Sequence, residues 1–170
     1  AEYKLENDMD YSIGDFLSSL AESRDPQDLY KAFMKAVTIA KDLIIRESNY
    51  ARQDLADKDK VLEYYQNASD KRLVVMDEDL SGWKSILVKK AEVLYAIYPR
   101  PDGKWSLAAI QEINYVSRKK LPSMWAGLKD DELQKMTGVA DALFCHRALF
   151  MAVAKTKEGV IALAELALNA

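Results

Sequence analysis

Two short clusters carry most of the groups that could do chemistry. Ser117-Arg118-Lys119-Lys120 sets three cations in a segment without regular periodicity, and Lys155-Thr156-Lys157 stands at the start of the last helical pattern. A helix start offers unpaired N–H groups and the positive end of the dipole, so it favours anions. His146 lies one strand away from Lys155 in the same predicted hairpin. Arg118, Lys119, His146, Lys155 and Thr156 together form a candidate phosphate site. The competing reading is a set of separately solvated cations. Tyr115 and Trp125 are candidate base-stacking residues, with ordinary packing as the alternative.

Other chemistries find less support. The chain has one histidine and one cysteine. They are adjacent, and neighbours on a strand point to opposite faces, so Cys145 and His146 do not readily share a metal. Asp77-Glu78-Asp79 is the densest acidic run and reads as a solvated loop. Neither a G-x-S-x-G elbow nor a phosphate-binding glycine loop occurs. A lone histidine is also commonly a hydrogen-bonded structural residue.

These groups belong to a chain of 170 residues with 24 Lys and Arg against 27 Asp and Glu, net charge −3. That balance excludes a uniformly basic nucleic-acid binder but permits a local patch. A single thiol forms no internal disulfide, which points to a cytoplasmic, reducing location. No apolar run approaches the roughly 18 residues of a membrane span.

The elements that must position the clusters follow from periodicity. Tyr11, Ile13, Phe16, Leu17 and Leu20 suggest a short amphipathic turn or helix. Asp25-Pro26 starts a helix, and no Gly or Pro interrupts Gln27 to Asn67. Beyond Ser69 the pattern shortens: a strand at 73–76, a helix at 80–90, and a hairpin over 93–113 turning at Asp102-Gly103. A helix from Asp130 ends at Gly138, and strands at 142–146 and 149–154 precede a last helix capped by Thr156. The class is α+β: a long N-terminal helix followed by a mixed, largely antiparallel sheet with helices packed on it. Residues 1–67 read as a helical arm and 68–170 as a substrate-binding domain.

Several pieces recur in one order: Trp83-Lys84, Tyr95 to Tyr98, Asp102-Gly103-Lys104-Trp105, Ser117 to Pro122, Trp125 to Leu133, Gly138, Phe144-Cys145-His146, Phe150, and Lys155 to Gly159. Together they resemble the C-terminal part of the melanocyte-proliferating-gene family, relatives of the DHH phosphoesterases. The resemblance implies a metal-dependent 3′–5′ exoribonuclease of two halves. The N-terminal half would carry an Asp-His-His motif and manganese-type metal ions. This chain lacks that motif, so it is expected to be an accessory, substrate-binding part that binds no cofactor and is inactive alone. Its expected partners are the catalytic half and nucleic acid or nucleotide phosphate. The same resemblance places Arg118, Lys119, His146, Lys155 and Thr156 at the substrate. The run Met151-Ala152-Val153-Ala154 departs from the glycine-rich stretch common in DHH-associated domains. The alternative function is an interaction module in which the long helix forms a homodimer.

Overall fold

The computed structural model describes residues 12–112 and 114–170. The chain divides into two compact units, Ala1–Ala51 and Arg52–Ala170. In the first, α1 (Ile13–Ser18) starts at a capping box between Ser12 and Asp15. Tyr11, also expected there, lies outside the described residues. α2 (Pro26–Asn67) opens at the expected Asp-Pro signal and runs through the unit boundary. The division falls inside α2. Its last turns bury Asp57 and Val61, and Tyr64 and Tyr65 pack on the core of the second unit.

The second unit contains β1 (Leu73–Val75), α3 (Trp83–Leu87), β2 (Tyr95–Pro99), β3 (Trp105–Ala109), α4 (Asp130–Thr137), β4 (Ala142–Cys145), β5 (Met151–Ala154) and α5 (Lys157–Asn169). The strands form one sheet in the order β1-β2-β3-β5-β4. β1 pairs parallel with β2, and the other three pairings are antiparallel. The fold is therefore α+β with a mixed, largely antiparallel sheet, as the sequence predicts. α3 is shorter than the expected 80–90 segment because Gly82, at φ 68°, turns the chain into it. No helix of the described residues is long and apolar enough to cross a membrane.

Period-two alternation sends side chains to two faces. Tyr95, Ile97, Leu107, Ala152 and Ala154 meet α5 on one face, together with Leu133, Leu121 and Trp125. Ala96, Ala108, Val74 and Met76 meet Trp83 and Leu87 of α3 and Val61 of α2 on the other. Trp125 is 3% exposed and belongs to the first core, so it packs and does not present a stacking face.

Asp57 ties the end of α2 to the loop before α3. Its Oδ2 accepts from Gln53 Nε2 at 3.0 Å and from the Ser81 N–H at 2.8 Å. The Gln53 hydrogen bond, then that of Ser81, holds the carboxyl below the usual carboxylate range. A pKa lowered by folding adds stability that is complete above the unfolded value, near about pH 4, and is lost as pH falls through the folded value. The stability difference between wild type and Asp57→Asn is expected to be largest at neutral pH and to shrink below about pH 4. Thermal melts across that range read it; a difference independent of pH would rule the contribution out.

Candidate functional site

Three cations close three helices. Helix C-termini leave carbonyls without intrahelical donors, and a positive charge there also suits the dipole. Lys71 Nζ donates to the carbonyls of Tyr65, Gln66 and Ala68 at the end of α2, at 3.0, 2.6 and 2.8 Å. Lys119 Nζ donates to Leu168 and Ala170 at the end of α5, at 2.9 and 3.2 Å. Arg118 does the same for α3. Its guanidinium donates to the carbonyls of Val88, Lys90 and Val93, and Nε pairs with Glu112. The Arg118 side chain is only 13% exposed. The N–H groups expected to grip a phosphate are thus directed at the protein's own main chain.

The start of α5 receives an anion that belongs to this chain. Asp141 Oδ2 accepts from the Thr156 N–H at 2.8 Å and from Thr156 Oγ1 at 2.6 Å, while Oγ1 accepts from the Gly159 N–H at 3.0 Å. A Cβ on residue 159 would lie 1.9 Å from Asp141 Oδ1, so glycine is what admits the carboxylate. Lys155 is exposed, with its main-chain N–H donated to the Asp141 carbonyl at 3.1 Å. Lys157 pairs with Asp77 and lies over the Trp105 ring.

The strand register also divides the five residues. Lys155 and Thr156 follow the end of β5, at the edge of the sheet where Trp105 pairs with Ala154. His146 hydrogen-bonds through its N–H to the Met151 carbonyl, at the start of β5. Four strand residues separate these ends, about 13 Å at 3.3 Å per residue. The Arg118 main chain lies at the His146 end, donating to the Ile110 carbonyl beyond β3. A single cleft holding all five does not form: Arg118 and His146 share one end of the sheet, Lys155 and Thr156 the other.

At the first end His146 keeps a group to offer. Its Nδ1 accepts from the Ala148 N–H at 3.0 Å. That bond places the proton of the neutral ring on Nε2, which is then a donor. Nε2 makes no hydrogen bond among the described residues. The ring centroid stands 4.3 Å from that of Phe150 and 6.1 Å, edge-on, from that of Phe144. Cys145 points the other way into the core, as strand alternation requires, and burial pushes its thiol up to about 11. It is a protonated packing residue at neutral pH.

Phe150 also walls a small pocket beside His146, together with Trp83, Lys84, Tyr98, Ala108 and Gln111. The Trp83 and Tyr98 rings stand 5.1 Å apart. Lys84 is exposed at its rim. Of these residues, Lys84, Tyr98 and Gln111 have no motif that marks them as binding residues in sequence; they meet because α3 packs on the face of the sheet where β2, β3 and β5 are neighbours. Among the described residues no three His, Cys, Asp or Glu side chains converge as metal ligands. The groups present therefore do not fit a metal centre, and no chemistry is assigned through one.

The family described as MYG1 exonuclease, uncharacterised protein family UPF0160, matches residues 1–168. The MYG1 protein of Schizosaccharomyces pombe is 29% identical over 160 residues, covering 88% of this chain and 48% of the relative. The MYG1 protein of Dictyostelium discoideum is 22% identical over 181 residues, covering 98% and 55%. The protein named MYG1 exonuclease in Homo sapiens is 28% identical over 93 residues, covering 54% and 25%. The chain spans about half the length, or less, of the curated relatives it matches.

Proposed function

Because this chain belongs to the MYG1 exonuclease family, we propose that it is the accessory, substrate-binding part of a metal-dependent phosphodiesterase that resembles a 3′–5′ exoribonuclease. The catalytic centre, with its manganese-type ions, then resides in a partner half corresponding to the remainder of the longer relatives. A reducing, cytoplasmic location is the matching expectation.

The observation that carries the reading is the geometry of His146. Its ring is held by two aromatic neighbours and one main-chain N–H, so the Nε2–H is oriented before any ligand arrives. A pre-oriented donor binds a phosphate oxygen without losing rotamer freedom at that moment. Lys84 adds positive charge at the adjoining pocket. Arg118 contributes from behind by fixing the C-terminal end of α3, the helix whose first turn carries Trp83 and Lys84. Metal ions in the other half would activate water and stabilise charge on the phosphoryl group. This half binds and orients.

Incubating the chain with short RNA and manganese is expected to leave the RNA intact, while labelled RNA or a mononucleotide binds. His146→Phe keeps the ring packing and removes the donor. It is expected to weaken binding roughly tenfold to a hundredfold, the worth of one charge-assisted hydrogen bond, with little change in melting temperature. Chelator-sensitive degradation that tracks the purified chain, or unchanged binding by His146→Phe, would defeat the proposal.

A second reading has an observation of its own. Leu29, Tyr30, Phe33, Val37 and Ile44 of α2 are all exposed. Apolar residues recurring on a helix in this way suit an interaction module, and a homodimer measured by sedimentation with no affinity for RNA would favour it.

A further inference from the structure

Tyr115 is 85% exposed and stands at φ 59°, in the left-handed region that bulky side chains rarely enter. A conformation of that kind persists only where its surroundings impose it. Here they do. The Tyr115 N–H donates to the Glu112 carbonyl and the Glu112 N–H to the Val116 carbonyl, both at 2.9 Å. Gln111 pairs with Ser117, and Gln111 Nε2 donates to the Tyr115 carbonyl at 3.1 Å. Four interactions therefore fix the main chain around a residue whose aromatic ring stands in solvent, although burial is what aromatic rings ordinarily gain from.

The position of this ring identifies its use. Gln111, which anchors the Tyr115 carbonyl, is also a wall of the pocket formed with Trp83, Tyr98 and Phe150. Phe150 in turn packs against His146, the two rings tilted by 45°. A continuous set of contacts thus links the His146 ring, the aromatic pocket and the main chain of Tyr115. Glu112, the carboxylate nearest in sequence, is neutralised by Arg118, and Lys84 stands exposed at the pocket. A single nucleic-acid strand repeats a flat stackable face and a phosphate at every nucleotide, which matches an aromatic platform beside a phosphate donor. We propose that Tyr115 is a stacking platform for a base of single-stranded nucleic acid bound at the His146 end of the sheet. This rests on the phosphate-binding reading above and adds the base to it.

Stacking needs the base but not the backbone, so the test uses two labelled oligoribonucleotides of equal length, one with bases and one abasic, titrated into the full chain. With the base-bearing oligomer, Tyr115→Leu is expected to lose roughly tenfold to a hundredfold in affinity. Tyr115→Trp is expected to retain affinity, and its added tryptophan emission to be quenched on binding. The abasic oligomer is expected to bind wild type and Tyr115→Leu alike. Equal affinities of wild type and Tyr115→Leu for the base-bearing oligomer overturn the platform while leaving the phosphate site standing. So does an equal loss with both oligomers, or a Tyr115→Trp emission unaffected by binding, as expected if the ring instead awaits a protein partner. Failure of wild type to bind either oligomer overturns the phosphate reading and the platform together. Because Tyr115 is so exposed, all three proteins are expected to melt together, and melting curves verify it.

Discussion

Replacing Arg118 with alanine is expected to destabilise the second unit by about 3 kcal/mol, since acceptors left unpaired cost about 1–3 kcal/mol each when buried and the three here are part-buried. The guanidinium satisfies three carbonyls at and just beyond the end of α3 and pairs with Glu112. Alanine removes all of these donors at once from a place where the side chain is 13% exposed. For a unit of this size the loss corresponds to a melting temperature lower by roughly 10 °C. Arg118→Lys is expected to recover only a fraction, because one ammonium cannot span the same set of acceptors in the plane of a guanidinium. Had Arg118 been a free phosphate ligand, the signs would be reversed: unchanged melting and weakened nucleotide binding. Melting curves and a nucleotide titration on the same variant separate the two outcomes.

The second large effect couples Gly159 to Asp141. A methyl group on residue 159 would collide with a carboxylate that two hydrogen bonds hold in place. Gly159→Ala is therefore expected to cost about 2 kcal/mol in wild type, by evicting Asp141 from the start of α5. In an Asp141→Ala background the obstacle is gone. There the same substitution is expected to stabilise slightly, by up to about 1 kcal/mol, because alanine is the better helix former. A change of sign across the cycle would be a coupling of about 2–3 kcal/mol between contacting residues. Additive effects, measured by denaturant unfolding, would mean that Asp141 does not fill the helix start.

Both cases show why the site was only partly readable in advance. Sequence reasoning expected the oxygens met by the cations and the helix start to be those of a substrate phosphate. It had no means of identifying those oxygens. The acceptors of Arg118 lie 25–30 residues away along the chain, and those of Lys119 about 50. Nothing in Ser117-Arg118-Lys119-Lys120 distinguishes a helix-closing cation from a ligand-binding one. Tyr115 and Trp125 illustrate the same point with aromatic rings: similar loop surroundings, yet one is 85% exposed and the other 3%.

What the sequence determined by itself are the features set by local sterics and short-range hydrogen bonds. Asp25-Pro26 begins α2, Asp102-Gly103 turns β2 into β3 with Gly103 at φ 77°, Gly138 ends α4 at φ 73°, and Thr156 caps α5. Alternation along the strands likewise sets Cys145 and His146 on opposite faces, and the α+β class follows from the order of these elements. Only the tertiary structure decided that β5 inserts between β3 and β4, which makes Phe150 a neighbour of Gln111. The physical reason is range. Caps, turns and alternation are settled within a few residues, whereas the partner of a charge or a ring is whichever group the packed sheet brings within hydrogen-bond or contact distance, from any point of the chain.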